Sequence, residues 1–177
     1  MRRVSISIIV LTIVLAFAAV IVFFGLYIER AYIKNQQRLT HLLCETDYEV
    51  LLSACRELSN RVVTGDLKRG AYWVRINKEP KASQFQFPQI ILEINPVLVH
   101  LDSEGWVMLE MGGLPTYGVV AYPKDSKSDY SFQGDVELIP GLWYYNEDYR
   151  KEYPKLMKEI DALIQKGKMR QREKRNR

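Results

Sequence analysis

Residues 4–28 contain no charged side chain, and no other feature of this 177-residue sequence constrains its fold as strongly. Only Ser5, Ser7 and Thr12 relieve a run of Val, Ile, Leu, Ala, Phe, Gly and Tyr. As a helix rising about 1.5 Å per residue the run extends roughly 37 Å, against a hydrocarbon core of about 30 Å. Arg2 and Arg3 precede it, and Tyr27, Glu29 and Arg30 have the character of an interface at its far end. The run predicts an integral, single-pass transmembrane anchor over residues 1–28, with the rest of the chain on one side of the membrane.

A cleaved signal peptide is the competing reading. Arg2 and Arg3, the apolar stretch 4–15 and Ala16-Phe17-Ala18 supply its three parts. The apolar run nevertheless continues for ten residues past Ala18, so cleavage there would leave an exposed apolar helix at the new terminus. An uncleaved anchor fits better. Arg2, Arg3 and the terminal amine stand against Arg30, Lys34 and Arg38, and the charges crowded at the amino end favour that end inside. The folded domain is then extracytoplasmic.

Beyond the anchor, residues 29–45 read as a helical stem, 46–165 as one α+β domain, and 166–177 as a basic disordered tail. The tail carries seven basic residues against Glu173, which leaves a slightly acidic domain before it. Within the domain, Thr46-x-x-Glu49 has the form of a capping box. Leu51, Ala54, Cys55, Leu58 and Val62 then recur at helical spacing. Residues 71–77 have strand composition, and Pro88 suits the first turn of a short helix ended by Asn95-Pro96. Residues 97–101 and 106–111 alternate around Asp102-Ser103-Glu104-Gly105, which predicts a hairpin with a bulged turn. Strands are predicted at 117–122 and 135–139, and Leu156, Met157, Ile160, Leu163 and Ile164 mark one face of a final helix. The fold class is therefore α+β: a transmembrane helix and helical stem, then a small, mostly antiparallel sheet in a meander, packed with helices.

Sharp catalytic and cofactor motifs do not occur, so neither a cofactor nor a metal is expected. Cys44 and Cys55 are the only thiols. A helix starting between them predicts two unpaired cysteines, unless the chain folds back to bridge them. His100 shares a strand face with Leu98 and Asp102, while Glu110 shares one with Trp106 and Met108. His100, Glu110 and Asp102 are thus a candidate acid/base set, against the plainer reading of an exposed-face histidine. Trp143, Tyr144, Tyr145, Tyr149 and Tyr117 form a candidate binding surface, against the plainer reading that they complete the core. The basic tail suits contact with an anionic surface, and no recognition fold accompanies it for specific nucleic-acid reading.

Ala54-Cys55-Arg56-Glu57-Leu58, Pro88 to Ile94-x-Pro96, Met111-Gly112-Gly113 before Tyr117-Gly118, and Gly141-Leu142-Trp143-Tyr144-Tyr145 together resemble a pattern in small uncharacterised bacterial single-pass membrane-anchored proteins. The resemblance implies a bacterial origin and a shared fold, and carries no activity. The order of apolar helix, stem and sheet is also similar to pilin-type subunits, but their Gly-Phe processing site and the glutamate near the start of the apolar run are missing here. The sequence thus predicts a non-enzymatic binding or scaffolding module of the cell envelope, with a protein partner or an envelope polymer as its target. The alternatives are an unusual hydrolase or carbohydrate-binding module using the aromatic surface, and a cytoplasmic domain whose tail binds anionic lipid or nucleic acid.

Overall fold

The computed structural model describes residues 2–74, 87–112, 116–125, 136–146 and 154–176. The chain divides into two compact units, Met1–Leu39 and Thr40–Arg177. Helix α1, Arg2–Thr40, runs unbroken through the first unit. Its described side chains begin at Leu11, and from there to Tyr27 every one is exposed, including Phe17, Phe23 and Phe24. At about 1.5 Å per residue this described stretch is roughly 25 Å long. Among the described residues no helix is long and apolar enough to cross a membrane.

The second unit opens with a π-helical turn, His41–Glu45, whose Leu42, Leu43 and Cys44 are buried. The segment predicted as stem through residue 45 therefore ends earlier, and its last residues belong to the domain core. Thr46 closes this turn rather than starting the next helix: its N–H and its hydroxyl both donate to the His41 carbonyl, each at 3.0 Å. The N-cap of helix α2, Tyr48–Val63, is Asp47, whose carboxylate accepts the Val50 N–H at 3.3 Å. The expected capping box does not form: the Thr46 hydroxyl is committed backwards, the cap moves one residue on to Asp47, and Val50 at the third helical position has no side-chain acceptor to complete a box. Leu51, Ala54, Cys55 and Leu58 form the buried stripe of α2 as their spacing predicts, joined by Tyr48 and Leu52, while Val62 is half-buried. Pro88 caps the short helix α3, Gln89–Ile94, and Asn95 ends it with φ 52°, a left-handed conformation that asparagine tolerates.

Six strands form one antiparallel sheet: β1 Gly70–Trp73, β2 Leu98–Leu101, β3 Val107–Glu110, β4 Tyr117–Ala121, β5 Val136–Ile139 and β6 Leu142–Asn146. Their order is β1-β2-β3-β4-β6-β5, so the predicted meander holds only as far as β4. The chain then passes to the edge, turns at Pro140-Gly141, and lays β6 between β4 and β5. Composition explains the order. Leu142-Trp143-Tyr144-Tyr145-Asn146 covers both faces with large side chains, as an inner strand requires, whereas β5 carries the exposed Glu137. The tight approach needs Gly118 on β4, where a Cβ would overlap the Leu109 carbonyl oxygen of β3.

Cross-strand register sorts the side chains into two faces. On one, Tyr72, Val99, Leu109, Val119 and Tyr144 stand in a continuous row, and the last four are fully buried. Helix α2 lies against β2, β3 and β4, and its apolar stripe supplies the other half of this core. Arg56 fastens the helix to the sheet, donating from Nε to the Tyr122 carbonyl at 3.1 Å and pairing with Asp125 at 2.6 Å.

Of the predicted disordered tail, residues 166–175 are instead the second half of helix α4, Pro154–Arg175. Ile160, Ile164, Gly167 and Gln171 are buried at spacings of four, three and four, one face carried straight into the basic segment. That face packs on the π-helical turn. The Cys44 thiol donates to the Leu163 carbonyl at 3.3 Å, Arg170 to the Cys44 carbonyl at 3.3 Å, and Gln171 to the Thr46 carbonyl at 2.8 Å. Gly167 permits the approach, because a Cβ there would overlap the Leu43 carbonyl oxygen. Gly167→Ala should therefore cost about 1–3 kcal/mol by overpacking, despite alanine's better helix propensity. Denaturant unfolding of the full chain in micelles checks this; Gln165→Ala, exposed on the same helix, should fall within about 0.5 kcal/mol of the parent.

Candidate functional site

The second face of the sheet carries His100, Glu110, Trp143 and Tyr145 of the side chains that the sequence singled out. Two cross-strand rows build it. One runs Ala71, His100, Met108, Val120, Trp143 and Glu137; the other runs Trp73, Leu98, Glu110, Gly118 and Tyr145. Trp106, Val120 and Tyr122 form a buried cluster here, with half-buried Met108 and Trp143 packed against it. His100 stacks on Trp106, with ring centroids 5.3 Å apart and planes 14° from parallel.

The predicted acid/base set shares a neighbourhood without sharing a proton path. His100 stands opposite Met108 and Glu110 opposite Leu98, so the two are diagonal neighbours, and among the described residues no hydrogen bond joins them. Asp102 serves its own turn. Its carboxylate accepts the Glu104 N–H at 2.8 Å, and its carbonyl accepts the Gly105 N–H at 3.2 Å, with Gly105 at φ 88°. The bulged hairpin predicted at this position forms, but Asp102 orients backbone rather than His100.

The aromatic surface is corrected more strongly. Tyr144, Tyr117 and Tyr145 are 0, 2 and 5 % exposed, which leaves no face for a ligand to stack on. Asn146 Nδ2 donates to the Tyr144 hydroxyl at 3.0 Å inside the core. Trp143 is half-buried in the cluster on the second face, and Tyr149 lies outside the described residues. The plainer reading, in which these aromatics complete the core, therefore holds for Tyr117, Tyr144 and Tyr145. A β-rich run directly after Pro140-Gly141 was the signal that would have placed them inside.

Both cysteines are free and buried, as their separation on either side of a helix start predicts. Burial pushes the Cys55 thiol up to about 12, and burial likewise raises Cys44 against the opposing influence of Lys166. Burial thus disfavours the thiolate, the reactive form, at both positions. Among the described residues no group of three or more His, Cys, Asp or Glu side chains comes together as a metal site. An open groove runs along α2, past Glu49, Arg56, Glu57 and Asn60, and a smaller cleft lies between β5 and the end of α4. No protein-family model, curated protein or solved structure matches the chain.

Two outcomes follow from this geometry. Asp102→Ala should lower stability by about 1 kcal/mol through the lost turn hydrogen bond, while Asp102→Asn keeps an accepting oxygen and most of the stability. Equal losses for both, seen in denaturant midpoints, would refute the turn role. For the thiols, an unfolded cysteine ionises near about 8.5, whereas Cys55 in the fold stays protonated to about 12. The native state then holds more protons, so stability falls as pH rises through this window, by up to about 1.4 kcal/mol per unit from Cys55. Thiol labelling of the native chain at pH 8 should be negligible and should become complete for both cysteines on unfolding.

Proposed function

We propose that this chain is a single-pass membrane protein whose α+β unit, Thr40–Arg177, acts as a binding or scaffolding module of the cell envelope. One observation carries the reading. The uncharged run 4–28 lies within the unbroken helix α1, and its described part is apolar and exposed on every side. A helix apolar all round demands an apolar surrounding, because so large an exposed hydrophobic surface is unfavourable in water. The whole run, at roughly 37 Å, is long enough to span a core of about 30 Å. A single Lys, Arg or Asp at its centre would cost about 2.5–3.5 kcal/mol on insertion, and none occurs.

The arrangement of the second unit favours binding over catalysis. Asp102 is held in its turn, Glu110 faces Leu98 rather than His100, and both thiols stay protonated within the core. The half-buried His100, Met108 and Trp143 on the second sheet face suit contact with a protein or an envelope polymer.

Two reporters fused after Arg177, one active only in the cytoplasm and one only outside it, test the topology. The outside reporter should be active and the chain should stay in the membrane through an alkaline carbonate wash. Release by the wash would defeat the anchor; a working cytoplasmic reporter with the chain retained would reverse the orientation alone.

A further inference from the structure

The edge strand β5 and the last turns of α4 enclose a cleft of about 240 Å³. Three cations line it, Lys168, Arg172 and Arg175, spaced by four and then three residues and so on one face of α4. Two of them are held in place. Lys168 Nζ donates to the Glu137 carbonyl at 2.8 Å, and Arg175 pairs with Glu49. Gln171 and Tyr48 also line the cleft, with the Gln171 amide donating to the Thr46 carbonyl and the Tyr48 hydroxyl to the Leu43 carbonyl. Among the described residues the Arg172 guanidinium makes no ion pair and no hydrogen bond, and it is exposed. Among the described lining residues Glu137 is the one carboxylate, and Glu49 pairs with Arg175 from outside the lining, so three cations stand against two anions and the cleft is net positive.

We propose that this cleft binds a phosphate-class oxyanion, a phosphomonoester or phosphodiester, with Arg172 as principal ligand and Lys168 as its neighbour. A guanidinium offers a planar fork of donors that matches two oxygens of a phosphate at once. The cleft's size suits one tetrahedral oxyanion, since pockets for larger organic ligands measure roughly 300–1,000 Å³. Free phosphate and the headgroup of an anionic lipid share this chemistry. The inference does not depend on the anchor, because every lining residue lies in the second unit.

The full chain in uncharged maltoside micelles at low ionic strength is titrated calorimetrically with inorganic phosphate and with glycerol 3-phosphate. Saturable binding that weakens with added salt is expected. Arg172→Ala should weaken it roughly ten-fold, and Arg172→Lys, which keeps the charge but loses the fork, by less. Lys158→Ala removes an equal charge from an exposed position on α4 outside the cleft and should change affinity by less than about two-fold. Doping the micelles with phosphatidylglycerol identifies the source: competition with phosphate assigns a lipid headgroup, and unchanged phosphate binding assigns the free anion. Absence of saturable binding by either probe overturns the proposal. Equal losses for Arg172→Ala and Lys158→Ala, which would reduce the effect to a general basic field, also overturn it.

Discussion

The row Val99, Leu109, Val119 and Tyr144 beneath the stripe of α2 is the contact on which the domain depends. Each fully buried aliphatic or aromatic side chain there stabilises by about 1.5–3 kcal/mol relative to exposure. Because side chains alternate along a strand, a one-residue slip of any of these strands would turn its contribution out of the core. Register on the second face is then fixed as a consequence. His100 falls opposite Met108 and Glu110 opposite Leu98 because Val99 must meet Leu109. The positions of the polar residues that look functional are thus set by apolar residues next to them in sequence.

Helix α4 solves a different problem. The π-helical turn leaves backbone carbonyls that the helix ladder does not satisfy, and unsatisfied buried carbonyls are costly. Thr46 serves the His41 carbonyl, Tyr48 the Leu43 carbonyl, and Arg170 the Cys44 carbonyl. The donors come from both sides, and α4 reaches the turn because Gly167 has no side chain to hold it away. At the end of α4, Lys174 meets Asp47 at 3.2 Å and Arg175 meets Glu49. Burial opposes ionisation of Asp47, but hydrogen bonds from Lys174 and Val50 hold its carboxyl below the ordinary value. Both pairs also join the negative end of one helix to cations and the positive end of another to carboxylates. Being largely exposed, they contribute little stability, typically about 0–1 kcal/mol. Their effect is to select the rotation of α4, while Ile160 and Ile164 supply the burial.

Elements with a dominant period were legible in the sequence. Helix α2, helix α3, the β2–β3 hairpin and β4 each carry a pattern matched by local turn chemistry, and the structure places them within a few residues of their expected bounds. What was hidden depended on tertiary partners. The insertion of β6 between β4 and β5 brings together strands that are not neighbours in sequence, so no local pattern announces it. The helical state of residues 166–175 was masked by charge density, although Gly167 and Gln171 continue the spacing of Ile160 and Ile164. For the candidate site, the faces of His100 and Glu110 could be read from alternation. The commitment of Asp102 to its turn, and the burial of Tyr117, Tyr144 and Tyr145, required knowing what packs beside them.

The basic segment shows why charge must be counted after pairing rather than before. In sequence it looks like a strip of cations available to any anionic surface. In the fold, Lys168 covers the edge carbonyl of Glu137, Arg170 serves Cys44, and Lys174 and Arg175 meet the acids of α2. Covering the outer carbonyl of β5 with a lysine also blunts a strand edge that would otherwise template pairing with another chain. Among the described cations from Lys166 onward, Lys166 and Arg172 are left outside these bonds. Lys166 stands apart from the cleft, whereas Arg172 stands between two cations already held by the protein. An anion entering there would meet one uncommitted fork with its neighbours in position, so fewer side chains need to be ordered on binding. That difference in preorganisation, more than the total charge of the segment, separates a site from a field.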